Sequence, residues 1–211
     1  MNKSAKRWLV AGIIILAVLL DQIVKIYIKL HFRLGEAHEI FPWFQILFVE
    51  NDGMAFGIEW FSKYFLTGFR IIFIGVIAYY IHLIIKNSDS RKVRLGYLIA
   101  VSFVCAGAIG NIIDCLFYGV CFSESTLFDV ATFMPTEGGY APLFCGKVVD
   151  MLYFPLIRNS VGETIFFQPV FNIADSCITV AVLVILFFYS KDLNSSLGRQ
   201  TAEQKGKNED K

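Results

Sequence analysis

The sequence predicts an all-α membrane protein, a four-helix transmembrane bundle carrying a small β-rich unit on its outward side. Three observations lead there. Hydrophobic residues make up 56% of the 211 and charged residues only 18%, whereas soluble domains are about 45–50% apolar. Four runs reach the length of about 20 apolar residues that a bilayer core demands. Lys and Arg gather at one set of span ends, which sets an orientation. The net charge of +1 says nothing about partners.

The first span is expected over about 8–28, behind a basic stretch of Lys3, Lys6 and Arg7. It has the outline of a cleaved leader, but the apolar run leads into Asp21 and Lys25 with no small-residue cleavage site, so it reads as retained. An outward segment follows over about 32–63. Its Ile40, Phe41, Trp43, Phe44, Ile46 and Phe48 suit a small strand-rich unit at the membrane interface. The second span is expected over about 64–85 and the third over about 95–116, joined by a loop with Lys86, Arg91, Lys92 and Arg94. A second outward segment covers about 117–169, with turns marked by Pro135, Gly138-Gly139 and Pro142. The fourth span is expected over about 170–189, and 191–211 reads as a disordered polar tail. That tail carries Lys191, Arg199, Lys205, Lys207 and Lys211, so both termini and the middle loop are expected to be cytoplasmic.

The polar residues inside the spans lie at one level. Residues 8–20, 95–106 and 177–190 hold no Asp, Glu, Lys or Arg, while Asp21, Lys25, Arg70, Asn111, Asp114, Asn172 and Asp175 fall toward the outward ends. Ionisable groups in lipid are costly and turn toward a protein interior or the interface. Asp21 and Lys25 stand at the i,i+4 spacing of a helical ion pair, which is a structural role. Arg70 reads most simply as an interfacial snorkeller. Several acids without adjacent bases are harder to explain as packing.

The available chemistry narrows to carboxylates. The five cysteines form no C-x-x-C pair, and His31, His38 and His82 are widely spaced, so no metal is expected. There is no G-x-S-x-G elbow. A Ser62–Lys63 dyad fails because adjacent side chains rarely aim at each other. Gly107-Ala-Ile-Gly110 sits in an apolar span and reads as close helix packing. Asp114, Asp150 and Asp175 remain as outward acids. Two carboxylates sharing a site do not both ionise easily, so one can act as base while the other holds a proton.

Five boxes then occur in order across about residues 8–190. They are Asp21-Gln22 with Lys25; Asn51-Asp-Gly53-Met-Ala55-Phe56-Gly57; Gly107-Ala-Ile-Gly110-Asn111-Ile-Ile-Asp114; Val148-Val149-Asp150; and Phe171-Asn172-Ile-Ala174-Asp175-Ser176. Each alone is weak; together they resemble the lipoprotein signal peptidases, the signal peptidase II family of membrane aspartic proteases. The resemblance implies catalytic Asp150 and Asp175, with Asn51, Gly53, Asn111, Asp114, Asn172, Ala174 and Asp21 lining or supporting the site. It implies no metal and no cofactor. The implied partners are diacylglyceryl-modified prolipoproteins and membrane lipid, with no nucleic acid and a monomeric chain. Cleavage would fall N-terminal to the lipidated Cys, at the outer surface of a bacterial inner membrane. It also implies a small sheet on the membrane and a periplasmic lid segment over the site. Asn172 has a plain structural role as well, as N-cap of the fourth span.

The chain departs from the family in two places. Cys115 stands where an Arg usually follows the Asp of the third box, with Arg70 and Lys147 as candidate substitutes. The stretch from Gly119 to Lys147 is long, and is expected to extend the lid. Cys121 and Cys145 near its ends are either a disulfide staple, if it faces an oxidising compartment, or two free thiols. A transporter and a non-catalytic scaffold compete with the protease reading. The transporter suffers from spans whose cytoplasmic halves are bare of charge and from the lack of an internal repeat. The scaffold predicts that Asp→Asn changes at 150 and 175 are harmless.

Overall fold

A computed structural model describes residues 1–52, 63–87, 94–158, 164–166 and 169–196. Gly53, Ser62, Arg91, Lys92 and the stretch 197–211 lie outside the described residues. Among the described residues three helices are long and apolar enough to cross a membrane: α1 (Lys3–His31), α2 (Lys63–Lys86) and α3 (Leu95–Ile113), which continues to Cys121. A fourth span counts if α4 (Ile173–Phe188) is taken with the short helix α5 (Ser190–Ser196), bent away from it by 88°. Helix α3 packs against α1, α2 and α4.

Each helix follows from its residues. The Asn2 side chain caps α1 by accepting from the Ala5 N–H at 2.8 Å. Asp21, Lys25, Ile28 and Lys29 are buried along one stripe of α1, spaced so that they share a face. Leu16, Leu19 and Ile23 remain exposed, as suits a surface solvated by lipid tails. In α3 the glycines let α4 come close. A Cβ on Gly107 would stand 2.3 Å from the Ala174 carbonyl oxygen, and one on Gly110 would stand 2.7 Å from an Asp21 carboxylate oxygen. Past Asp114 the helix widens to π geometry over Asp114–Tyr118, a distortion often found at functional sites.

The strands form an antiparallel sheet in the order β1 (Ala37–Phe41), β2 (Phe44–Asn51), β3 (Val148–Tyr153) and β6 (Val170–Phe171). A separate pair joins β4 (Ile157–Arg158) to β5 (Thr164–Phe166). The first outward segment is thus strand-rich as expected, and its sheet is completed from the second. The expected fourth span began too early. Val170–Phe171 is a strand paired with Leu152 and Tyr153, and the helix starts only at Ile173. An apolar pair ahead of a helix does not announce that it is strand; the cap at Asn172 draws the boundary.

Two apolar clusters bracket the polar level. One joins Ile77, Ile81, Tyr97, Val101, Ala181 and Ile185 toward the N-terminal end of α1. The other joins Ile28, Phe48, Tyr118, Phe122, Val149 and Met151 beneath the sheet. The stretch expected as a disordered tail is helical and packed over 191–196. Asp192 accepts from the Arg94 N–H at 3.0 Å and from its guanidinium at 2.7 and 2.9 Å, and Ser196 hydrogen-bonds Tyr80.

Candidate active site

At the polar level one ammonium gathers three partners. Lys25 Nζ lies 2.9 Å from Asp21 Oδ2, 2.8 Å from Asp114 Oδ2 and 2.8 Å from Asn111 Oδ1. Lys25, Asp21 and Asp114 are buried. Gln22 Nε2 adds donors to Asp114 Oδ1 at 2.9 Å and to the Gly110 carbonyl at 3.1 Å. The i,i+4 ion pair read from the sequence is therefore present, but it is half of a larger group.

Each partner of Lys25 grips backbone or side chain beside a further acid. Asp114 Oδ2 accepts from the Val149 N–H at 3.2 Å, one residue before Asp150. Asp21 Oδ1 accepts from the Ala174 N–H at 2.9 Å, one residue before Asp175. Asn111 Nδ2 donates to Asp175 Oδ1 at 2.7 Å. Ala174 thus matters through its amide.

Asp150 and Asp175 arrive from different elements. Asp150 sits in β3 opposite Val49, and Asp175 in the first turn of α4. Asn172 links them. Its side chain accepts from the Asp175 N–H at 2.9 Å, while the Asp175 carboxylate accepts from the Asn172 N–H at 3.3 Å, closing a capping box. The same side chain donates to Asp150 Oδ1 at 2.7 Å and reaches Asn111 Oδ1 at 3.0 Å. Asn51 Nδ2 donates to Asp150 Oδ2 at 3.3 Å. Among the described residues no Lys or Arg pairs directly with Asp150 or Asp175.

Burial, and then the charge of Asp175, push the Asp150 carboxyl up to about 7, against the amides of Asn172 and Asn51. A cleft of about 540 Å³ opens beside it, lined by Val49, Glu50, Asn51, Asp52, Asp150, Pro169 and Val170. Asp175 is half-buried. A carboxyl titrating near neutrality beside a cleft, and within the field of a second carboxylate, can take and give a proton at working pH.

Of the expected site residues, Asp21, Asn51, Asn111, Asp114, Asp150, Asn172, Ala174 and Asp175 come together; Gly53 lies outside the described residues. Arg70 is more than a snorkeller. Its Nη1 reaches Cys115 Sγ at 2.7 Å, whereas Lys147 Nζ lies 3.7 Å from Glu50 Oε2. Cys121 and Cys145 are free thiols, so the staple is absent. Lys63 pairs with Asp52 rather than activating a serine. Gln22 and Tyr118, which donates to Gln22 Oε1 at 3.2 Å, carried no individual signal beyond the box that holds Gln22.

Comparison with known proteins gives the family. The family model described as Signal peptidase (SPase) II matches residues 13–191. A lipoprotein signal peptidase of Porphyromonas gingivalis is 44% identical over 95% of this chain and 91% of its own. One from Amoebophilus asiaticus is 32% identical over 87% and 78%. A bacterial membrane enzyme solved by the in meso method at 2.3 Å resolution superposes with a TM-score of 0.59, at 25% identity, over 88% of this chain and 90% of that one. A second, at 1.9 Å, gives 0.57 at 26% identity over 84% and 89%. With the family model spanning most of its length, this chain belongs to the signal peptidase II family and is a membrane-embedded peptidase.

Proposed function

We propose that the chain removes signal peptides from diacylglyceryl-modified prolipoproteins, cutting N-terminal to the lipidated Cys, with Asp150 and Asp175 acting as an aspartate dyad on water. The observation that carries this reading is the coupled pair itself. Asp150 lines a cleft and is raised to about 7 by burial and the charge of Asp175, and the amides of Asn172 and Asn111 link the two carboxyls. In the first step the ionised member takes a proton from water as its oxygen bonds to the scissile carbonyl carbon. The protonated member donates a hydrogen bond to the carbonyl oxygen. In the second step the C–N bond breaks and the nitrogen leaves with a proton from the dyad. The two protons belong to the pair, so neither carboxyl is given a permanent role.

Asn111 and Asn172 keep the carboxyls oriented, and Lys25 with Asp21 and Asp114 holds the two chain segments that carry them. In this reading the helices form a four-span bundle in a bacterial inner membrane. The basic ends at Lys3, Lys6, Arg7 and Lys86 face the cytoplasm, and the dyad lies near the outer surface. The enzyme acts as a monomer without metal or cofactor. Arg70, drawn to Cys115, supplies a guanidinium near the place where the family's Arg would stand.

The test is cleavage of a diacylglyceryl-modified precursor by the purified chain in detergent. Activity that survives EDTA and is lost in both Asp150→Asn and Asp175→Asn fits the dyad. Activity kept in either variant removes that residue from the chemistry.

A further inference from the structure

A second buried charge cluster centres on Glu50 of β2, next in sequence to Asn51. Lys29, fully buried near the end of α1, pairs with the Glu50 carboxylate. Its Nζ also donates to Ser125 Oγ at 3.0 Å, and Ser125 Oγ donates to Glu50 Oε1 at 3.1 Å. The ammonium is covered by the rings of Phe122 and Tyr140, at 5.6 and 4.9 Å from their centroids. Lys147 closes the far side at 3.7 Å from Glu50 Oε2, a buried oxygen that accepts no hydrogen bond among the described residues. The Lys147 N–H donates in turn to the Tyr140 hydroxyl at 2.7 Å. Four contributors to this cluster, Phe122, Ser125, Tyr140 and Lys147, come from the long stretch expected as a lid.

Glu50 occupies a decisive place in the sheet. The pairing of β2 with β3 is irregular between Ile46 and Val49, and resumes with Val49 opposite Asp150, Glu50 opposite Val149 and Asn51 opposite Val148. A strand that has slipped its register by one residue turns every following side chain to the other face. Past such an irregularity the register needs an anchor. The Glu50 carboxylate supplies one, held by α1 on one side and by the 122–147 loop on the other. The next residue is Asn51, whose amide reaches Asp150.

We infer that Glu50, clamped by Lys29 and the 122–147 loop, is a positioning residue that sets Asn51 against Asp150. The loop is then a buttress for β2 at these contacts. A buried pair with one oxygen short of donors is a costly way to hold two elements together, and its benefit here is the register of the residue beside it. The inference rests on the dyad reading above.

The experiment compares wild type, Glu50→Gln and the double variant Lys29→Met/Glu50→Met on the lipidated precursor, reading Tm, kcat, KM and the pH profile of kcat/KM. The double variant leaves no lone buried charge, so it stays folded if Glu50→Gln does not. The expected result is a kcat lower by about 10- to 100-fold with little change in KM, as misplacement of a catalytic group produces. An amide donated to an ionised carboxyl lowers its pKa, so losing Asn51 raises that of Asp150, and the alkaline limb moves to higher pH. The double variant recovers Tm but keeps the low kcat and the moved limb. Wild-type kcat and limb in a folded variant overturn the inference, as does a loss confined to Tm and active fraction. Wild-type protein without dyad-dependent cleavage breaks the dyad reading instead.

Discussion

Two pairs of aspartates lie within the same polar level, and they are solvated differently. Asp21 and Asp114 share the Lys25 ammonium at 2.9 and 2.8 Å. Asp150 and Asp175 are held by the side-chain amides of Asn51, Asn111 and Asn172. Asp21 and Asp114 grip the backbone N–H groups of Ala174 and Val149 while they share the Lys25 ammonium. A buried carboxyl given only neutral donors, with another acid nearby, is left able to exchange a proton. The same residue type is held by an ammonium in one place and by neutral amides in the other.

The largest effects should come from the pair without a cation. Asp150→Asn and Asp175→Asn should each lower kcat by at least the 10²–10⁴-fold typical of a lost acid or base, with Tm nearly unchanged; a strongly lowered Tm would return these acids to the framework class. Lys25→Met should show the opposite pattern. It leaves two carboxylates buried without their cation, and removing one partner of such a group costs about 3–5 kcal/mol. Chemical denaturation in detergent would measure it, and adding Asp21→Asn and Asp114→Asn should restore part of the loss. Gly107→Val should cost about 1–3 kcal/mol through overpacking, because its Cβ would stand 2.3 Å from the Ala174 carbonyl.

The pH profile sharpens the contrast further. Asp150 is raised to about 7, so kcat/KM should fall about tenfold per pH unit above that value. The sign for stability is the same. The folded chain binds this proton more tightly than the unfolded chain, whose Asp titrates near 3.9. The contribution is therefore full below about 4 and is lost as pH rises through about 7. The smallest effect is expected at Cys121 and Cys145, both free thiols. Thiol labelling of the two should be the same with and without reductant.

Much of this arrangement was legible in the chain before its structure. The i,i+4 spacing of Asp21 and Lys25 announced an ion pair, and Asn172 three residues before Asp175 announced a cap. Gly107 and Gly110 announced a close approach without naming the partner, which is Ala174 with Asp21. What stayed hidden depends on long-range pairing. Nothing local tells Val170–Phe171 from a first helical turn, since their strand character comes from Leu152 and Tyr153. Nothing near Lys29 names Glu50 or Ser125 as its partners. The packed helix at 190–196 follows from Arg94 and Tyr80, contributed by distant parts of the chain. Composition also misjudged that segment, because its polar residues are spent on contacts.

Asn172 both caps α4 and carries the hydrogen bond to Asp150. Replacing an Asn cap by Ala costs about 0.5–2 kcal/mol, and here the same change would strip a donor from Asp150. An inhibitor that hydrogen-bonds this amide therefore leans on a group with no cheap escape mutation. Resistance would have to arise elsewhere, at residues of the cleft wall such as Val49 or Val170 that shape access without holding the helix.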